Sequence, residues 1–341
     1  MHAQDRRELG RTGVSLTQLG FGAGAIGELW APIPDDQASG TIDAAWENGI
    51  RYFDVAPWYG RGLAERRVGN ALRLRPRNDL VLSTKVGRIL SAPENPDHFD
   101  SSPWVGGLPF AVTHDYTYDG LMRSFEDSLQ RLAINRVDLL LIHDLDHWHF
   151  ETDEAVAAHM RHLIGSGYRA LEELKADGRV RGIGAGINQS RTMPQFLDSI
   201  ALDFFLIALC YTLLDQSALV HMHRAQELGM GFVVGGVFNS GILATGAVPG
   251  AKFNYSDATE DVLERVRRIE TIAGKYNVPL GAAALQFPLG DASVASVIPG
   301  ALSSDQVAQN VAAIEHVIPD EFWTELKSSE LLSADVPTPR S

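Results

Sequence analysis

Apolar and polar positions along the chain alternate between two patterns. Short apolar runs, too brief for a helix, occur at residues 16–21, 51–54, 80–85, 137–143, 180–186, 204–209, 232–236 and 294–298. Between them lie segments whose apolar residues recur at helical spacing, as Leu121, Phe125, Leu129 and Leu132 do within 118–132. The spacing predicts further helices over 64–74, 160–176, 217–228, 257–276 and 304–316. Another is expected from a cap at Asp35 or Asp36 through Asn48, with Gly49 as its stop. Strand-length runs alternating with amphipathic helices imply parallel strands joined by crossover helices. Eight such runs favour a closed α/β fold, the (β/α)8 TIM barrel, over an open sheet.

Three stretches break the alternation. Residues 7–19 alternate around Gly10 and Thr12-Gly13, which predicts a small hairpin within 1–19 that plugs the bottom of the barrel. Residues 87–116 carry Pro93, Pro96, Pro103, Gly106, Gly107 and Pro109 without periodicity. So long a loop in a compact domain usually serves function, and it leaves the face where barrel strands end, so it is expected to be a substrate lid. The tail from Asp335, with Pro337 and Pro339, is expected to fray. No Ser/Gly-rich or charged linker interrupts the chain, so 1–341 is expected to be one barrel domain. Gly22-Ala23-Gly24-Ala25-Ile26-Gly27 spells GxGxxG, but Pro32 and Pro34 follow where a dinucleotide fingerprint needs a helix, and a loop is predicted.

Composition narrows the function. The 341 residues are 45% hydrophobic and 21% charged, and 29 Lys+Arg against 43 Asp+Glu leave a net charge of −14. Such a balance disfavours nucleic acid and anionic membranes as partners. The single cysteine, Cys210, lies in an apolar run, cannot form an intrachain disulfide, and reads as a core thiol. No apolar run is long enough to span a membrane and no leader pattern opens the chain, so a cytoplasmic location is expected. The oligomeric state is left open.

Three of the predicted strands end in ionisable groups: Asp54, Lys85 and His143. In a parallel barrel all strand ends converge on one face, which brings these three together with a phenol of the 52–59 stretch. An ammonium beside a phenol favours the phenolate, and a buried carboxylate keeps the ammonium charged and aimed. That set suits a proton transfer at a carbonyl or alcohol oxygen. Charge alone does not choose between Tyr52 and Tyr59. The segment His143-Asp144-Leu145-Asp146-His147-Trp148-His149 has metal-ligand residue types but no Cys, no HExxH helix and no distant partner group, so no metal is expected.

The runs Gly49-Ile50-Arg51-Tyr52-Phe53-Asp54-Val55-Ala56, Trp58-Tyr59-Gly60, Leu82-Ser83-Thr84-Lys85, Leu141-Ile142-His143-Asp144 and Ile298-Pro299-Gly300 resemble the aldo-keto reductases, in order and over nearly the whole chain. The resemblance implies that Tyr59 is the acid/base, Lys85 its tuner, Asp54 the holder of Lys85, and His143 the group orienting the substrate oxygen. It also implies a nicotinamide dinucleotide, NAD or NADP, bound without a Rossmann fold. Gly22, Ala23 and Asp54 would be among its contacts, with Asn188 at the nicotinamide end, Phe238 and Ser240 at the pyrophosphate, and Gly300, Gln306, Gln309 and Asn310 at the adenosine. Many members of that family have Ser-Asn where this chain has Gly186-Ile187, and an aromatic residue where it has Gly235 or Gly236.

Those departures, with Phe238-Asn239-Ser240-Gly241-Ile242-Leu243 and the run 116–124, are similar to the bacterial branch acting on D-threo-aldoses, L-fucose and pyridoxal. The resemblance implies a small sugar or aldehyde substrate, oxidised at the anomeric carbon of an aldose. The alternatives are pyridoxal 4-oxidation, general aldehyde reduction, and a cofactor-binding regulatory subunit on the same fold. Trp30, Trp58, Trp104 and Trp148 fall in loops of the active face and would wall the pocket, while His114, Asp115 and His147 would serve substrate hydroxyls. The segment 300–306 has no basic residue and includes Asp305, which favours NAD because a 2′-phosphate is usually gripped by Arg or Lys.

Overall fold

A computed structural model describes residues 1–340. Eight parallel strands form one sheet whose order follows the chain: Phe21–Gly22, Tyr52–Asp54, Val81–Val86, Leu139–His143, Gly182–Ile187, Phe204–Ala208, Gly231–Gly235 and Val294–Ile298, here strands one to eight. Closure is narrow. Leu19 bridges Val297 in parallel. Gly20 N donates to Val297 O at 2.9 Å and Gly22 N to Pro299 O at 3.1 Å. A β-carbon at Gly22 would lie 2.6 Å from Ile298 O, so only glycine lets strand one approach strand eight there.

The expected first strand is divided. Ser15–Thr17 pairs antiparallel with Arg6–Glu8 in a hairpin, and only Phe21–Gly22 joins the barrel. The apolar run is continuous because both parts are buried, Leu16 in the plug and Phe21 in the barrel wall. Leu9, Val14 and Leu16 pack with Tyr52, Val81, Leu139, Leu141 and Phe204 in a cluster separate from the main core. The hairpin therefore closes the bottom of the barrel, as its pattern predicts.

Helices occupy the crossovers. The first runs Asp35–Glu47 with Pro34, not an aspartate, at its N-cap; both aspartates lie in the first turn, where carboxylates suit the helix dipole, and Asp36 Oδ1 accepts from Gln37 N at 2.8 Å. Tyr118–Leu132 has the predicted bounds, with Thr117 accepting from Gly120 N. The helical region expected over 160–176 begins earlier, at Asp153–His162 behind the Thr152 cap, and continues through a widened turn into Tyr168–Ala176. Three helices of seven or more residues escape the periodicity argument, Met193–Ser199, Leu280–Gln286 and Asp320–Ser328, as do the four-residue helices His147–Phe150 and Ile242–Thr245. In Leu280–Gln286 the reason is plain, because residues from Ala282 to Gln286 are buried on every side and no polar face marks the period.

Two irregular stretches are more ordered than their composition suggests. Within 87–116, Arg88–Ser91 pairs antiparallel with Ala111–His114. The Arg61 guanidinium donates to the carbonyls of Ser101, Ser102 and Phe110 at 3.2, 3.0 and 2.8 Å. The segment is thus stitched to the Tyr59 turn. The tail is not frayed: Val336 is buried, and a β-carbon at Gly290 would lie 2.5 Å from Thr338 C. Proline prevents the tail from forming a helix or ladder, but not from packing.

The plug meets the barrel backbone to backbone, since a β-carbon at Gly231 would lie 2.4 Å from Gly10 N. Gly231→Ala is expected to lower the unfolding free energy by about 1–3 kcal/mol through overpacking. Urea melts should show a lower midpoint at unchanged slope; an unchanged midpoint would mean that the plug yields freely.

Candidate active site

Strand geometry brings the predicted groups together. Asp54 ends strand two, His143 ends strand four, Lys85 is the last residue but one of strand three, and Tyr59 sits in the turn after strand two. Lys85 Nζ lies 2.6 Å from Asp54 Oδ2, and donates to Val55 O at 3.0 Å and Tyr59 Oη at 3.1 Å. Ser83 Oγ donates to the other Asp54 oxygen at 2.7 Å. Both charged residues are only 1% exposed. A carboxylate so buried survives only with its partners satisfied, and here each oxygen has one. Tyr59 is presented by a run of left-handed residues, Gly60, Arg61 and Gly62. Gly27 leaves room for that turn, since a β-carbon there would lie 2.7 Å from Gly60 N.

The electrostatics differ from the simple expectation for the phenol. Burial pushes the Tyr59 hydroxyl well above its ordinary range, Asp54 and Asp144 add to this, and Arg88 opposes it. The ammonium is held by Asp54, so its pull on the phenol is largely cancelled. Burial likewise pushes His143 well down, with Asp144 opposing. Its ring stands edge-on to Tyr59, centroids 5.9 Å apart. Nε2 is 3.3 Å from Asp144 Oδ2, and Nδ1 has no partner among the described residues. The site holds a protonated phenol and a neutral imidazole.

Sequence reasoning missed Arg88 and Tyr255. Arg88 follows Lys85 by three residues and is itself followed by Ile89-Leu90, and its guanidinium is buried 4.6 Å from the Trp58 ring centroid. It donates to Asp144 Oδ2 at 2.7 Å, while Asn188 Nδ2 donates to Asp144 Oδ1 at 2.9 Å. Burial alone would raise the Asp144 carboxyl; His143, Arg88 and His149 outweigh it and bring it to about 2. This carboxylate thereby joins the ends of strands three, four and five. Tyr255 sits at the tip of a small hairpin, Lys252–Phe253 with Ser256–Asp257, whose tip residues Asn254 and Tyr255 are left-handed. Its N–H donates to Ser240 Oγ at 2.8 Å.

The aromatic residues fall into an inner and an outer set. Trp104 is buried with its ring centroid 6.0 Å from Tyr59 and 5.8 Å from Trp58. Trp30 and Trp148 are exposed and flank Tyr255 at 6.4 and 6.2 Å. Of the polar residues expected to face substrate, two are otherwise engaged. His147 bonds Thr192 Oγ1 and Asp153 Oδ1 at 2.9 and 2.7 Å, and Asp115 Oδ1 accepts from Thr117 N and Oγ1. Both act as helix-start fixtures, a use open to Asp and His at any loop-helix junction. His114 packs 4.5 Å from the His149 ring, and its Nε2 has no partner among the described residues. Cys210 is buried, and burial pushes its thiol up.

The loops after strands one, five, seven and eight carry the residues expected at a dinucleotide. Ala23 N is spent on Asp54 O at 2.9 Å, and Gln306 Oε1 accepts from Leu302 N at 2.7 Å, so that amide braces its own loop. Phe238 (φ −93, ψ 5) is followed by two left-handed residues, Asn239 (φ 44) and Ser240 (φ 65), in a tight turn that Asn239 N closes by donating to Gly236 O at 2.8 Å. Asn239 Oδ1 is buried without a partner among the described residues. A concavity lined by Asp36, Gln37, Ser303, Ser304 and Asp305 adjoins the strand-eight loop, with no basic residue. This lining offers neutral hydrogen-bonding groups and two carboxylates. Glycine is required at 236, where φ is +61 and a β-carbon would lie 2.7 Å from Leu209 Cδ2. No aromatic residue fits there.

Residues 18–330 match the family model described as the Aldo/keto reductase family. Pyridoxal 4-dehydrogenase of Microbacterium luteolum is 43% identical over 98% of this chain and 99% of its own. D-threo-aldose 1-dehydrogenase of a Pseudomonas species is 36% identical over 96% and 97%. Among solved structures, the holo form of aldo-keto reductase AKR11C1 from Bacillus halodurans superposes with a TM-score of 0.77 at 26% identity, covering 98% of each chain. No helix among the described residues is long and apolar enough to cross a membrane.

The imidazole of His114 gives the site an acid limit. Burial first, then Arg88 and neighbouring histidines, lower it from 6.5 to about 3. The folded chain therefore leaves it neutral where the unfolded chain protonates it, so stability is lost as pH falls below 6.5. His114→Gln is expected to flatten the fall of Tm between pH 6.5 and 5; parallel Tm profiles for both proteins would contradict this burial.

Proposed function

Since the chain belongs to the aldo/keto reductase family and is an NAD(P)-dependent oxidoreductase, we propose that it oxidises a cyclic hemiacetal to a lactone, with NAD as hydride acceptor. The observation that carries this reading is the contact of Tyr59 Oη with Lys85 Nζ at 3.1 Å, beside a neutral His143 in a buried site. NAD, when bound, accepts the hydride and brings a positive charge to the active face. The chain's own residues handle the proton. Tyr59 takes it from the anomeric hydroxyl as phenolate, with Lys85 donating to the same oxygen. Lys85 keeps its aim because Asp54 and Val55 O hold its other hydrogens. A phenol raised by burial is mostly protonated at neutral pH, so oxidation should quicken as pH rises. His143 orients the substrate oxygen, and Arg88 acts through Asp144 to hold His143 and Asn188 in place.

Both dehydrogenases named above act on compounds that close into hemiacetal rings, pyridoxal through its hydroxymethyl neighbour and an aldose through a chain hydroxyl. Trp58 and Trp104 beside Tyr59 suit the flat face of either. Identities of 43% and 36% put pyridoxal first in a screen and L-fucose-type aldoses second. Asp36 and Asp305, with no cation between them, favour NAD over NADP through repulsion of a 2′-phosphate.

Tyr59→Phe is expected to lower kcat roughly 10²–10⁴-fold while the NAD dissociation constant stays within about a factor of two, because the phenol serves the proton and not the dinucleotide. Retention of most of the turnover would remove Tyr59 from its role.

Incubation of the protein with NAD and pyridoxal, L-fucose, D-arabinose, L-galactose or D-glucose, with products identified by mass, is expected to give a lactone from a subset. It is also expected to give a higher kcat/KM with NAD than with NADP. NADPH-driven reduction of simple aldehydes without any such oxidation would overturn the substrate reading, and cofactor binding without turnover would favour a regulatory subunit.

A further inference from the structure

At the barrel's bottom, opposite Tyr59, lies a cleft of about 380 Å³ between the plug hairpin and the loops that enter strands three, four and five. Arg6, Arg77, Arg136, Arg179 and Arg181 line it, against Asp79 and Asp138. This concentration of cations stands out in a chain of net charge −14. Two of the five are neutralised: Arg77 pairs with Asp138 at 2.7 Å and Arg179 with Glu126 at 2.6 Å. The other three have no carboxylate partner among the described residues. Arg6 Nη1 donates to Ser15 O at 3.3 Å, Arg181 Nη2 to Gly13 O at 2.7 Å, and Arg136 to the Asn78 side chain.

These neutral acceptors matter physically. A carbonyl or amide positions a guanidinium without cancelling its charge, and each fork keeps further N–H groups free. Three like charges around one concavity repel one another, and Asp79, the other charge in the lining without an ion pair, offsets one of them and leaves an excess of two cations. An anion of two or more charges would relieve that repulsion and meet planar donors whose geometry matches oxyanions bidentately.

We propose that this cleft is a binding site for a small multivalent oxyanion of the diphosphate kind, separate from the dinucleotide site on the opposite face. Arg6, Arg136 and Arg181 supply its charge, and the plug hairpin forms one wall, so occupancy also ties the plug to the barrel. The cleft's volume suits a diphosphate group with or without a small substituent.

The test uses the full-length protein with NAD at saturation, so that the opposite face is already filled. Sodium pyrophosphate is titrated calorimetrically at constant ionic strength, with sulfate as the control anion. The expected result is saturable binding near one per chain, tighter than sulfate, with a matching rise in Tm. Arg6→Gln with Arg136→Gln together should weaken it at least tenfold, leaving NAD affinity and turnover unchanged. Should the double variant fail to fold, Arg136→Gln alone makes the same comparison, because the one hydrogen bond of that guanidinium among the described residues is to Asn78 at the surface. No saturable heat, equal affinity for sulfate, or undiminished binding in the variant would each overturn the proposal.

Discussion

The ion pair between Lys85 and Asp54 is the constraint on which the active face depends. Two charges removed almost wholly from water would cost several kcal/mol each if left alone. They are kept by mutual contact at 2.6 Å, by Ser83 on the second carboxylate oxygen and by Val55 O on the ammonium. Those partners come from strands two and three, so the pair exists only where the barrel register sets Asp54 against Ser83. One consequence reaches the phenol. Because Asp54 absorbs most of the ammonium's field, Lys85 offers Tyr59 a directed hydrogen bond more than a net positive potential. The remaining positive charge near Tyr59 belongs to Arg88, itself engaged with Asp144.

A second layer of fixed geometry surrounds that pair. Arg61, two residues after Tyr59, binds three carbonyls of the 87–116 segment, and Leu108 N donates to Gly60 O at 3.0 Å. The Tyr59 turn and the segment above it are therefore held against each other, and Trp104 is buried beside Tyr59. Across the mouth, the 252–257 hairpin is tied to Ser240 and Asn239, so the loop beside the expected pyrophosphate site and the aromatic group of Trp30, Tyr255 and Trp148 are mechanically joined. The 252–257 hairpin thus links the strand-seven loop to the exposed aromatic residues at the mouth.

The parts of this arrangement that were legible in the sequence are those set by strand alternation. Asp54, Lys85 and His143 could be placed because a parallel strand that ends in a polar residue points it at the active face. Asp115 and His147 were misread because loop residues carry no such rule; each is consumed by local bonds to Thr117, Thr192 and Asp153 that depend on backbone dihedrals invisible in sequence. Arg88 was overlooked for the converse reason. An arginine past a strand end reads as solvated, and only the antiparallel ribbon with 111–114 folds it inward beneath Trp58. The tail was misjudged because proline content reports on regular structure and not on burial.

The two ends of the barrel divide the charge in a way that composition alone conceals. The overall excess of acid suggests a uniformly anionic surface, yet the bottom cleft gathers unpaired arginines while the concavity beside the strand-eight loop holds Asp36 and Asp305. At about 0.1 M salt, fields from exposed charges fade within roughly 10 Å, so each end presents its own local sign to a ligand whatever the net charge. Anions are therefore sorted by position. Under the two proposals made above, a dinucleotide would be taken at the top beside Asp36 and Asp305, and a denser anion by the arginines beneath the plug. Selectivity between such ligands then rests on where each cation was placed along the fold, and the −14 total neither predicts nor prevents it.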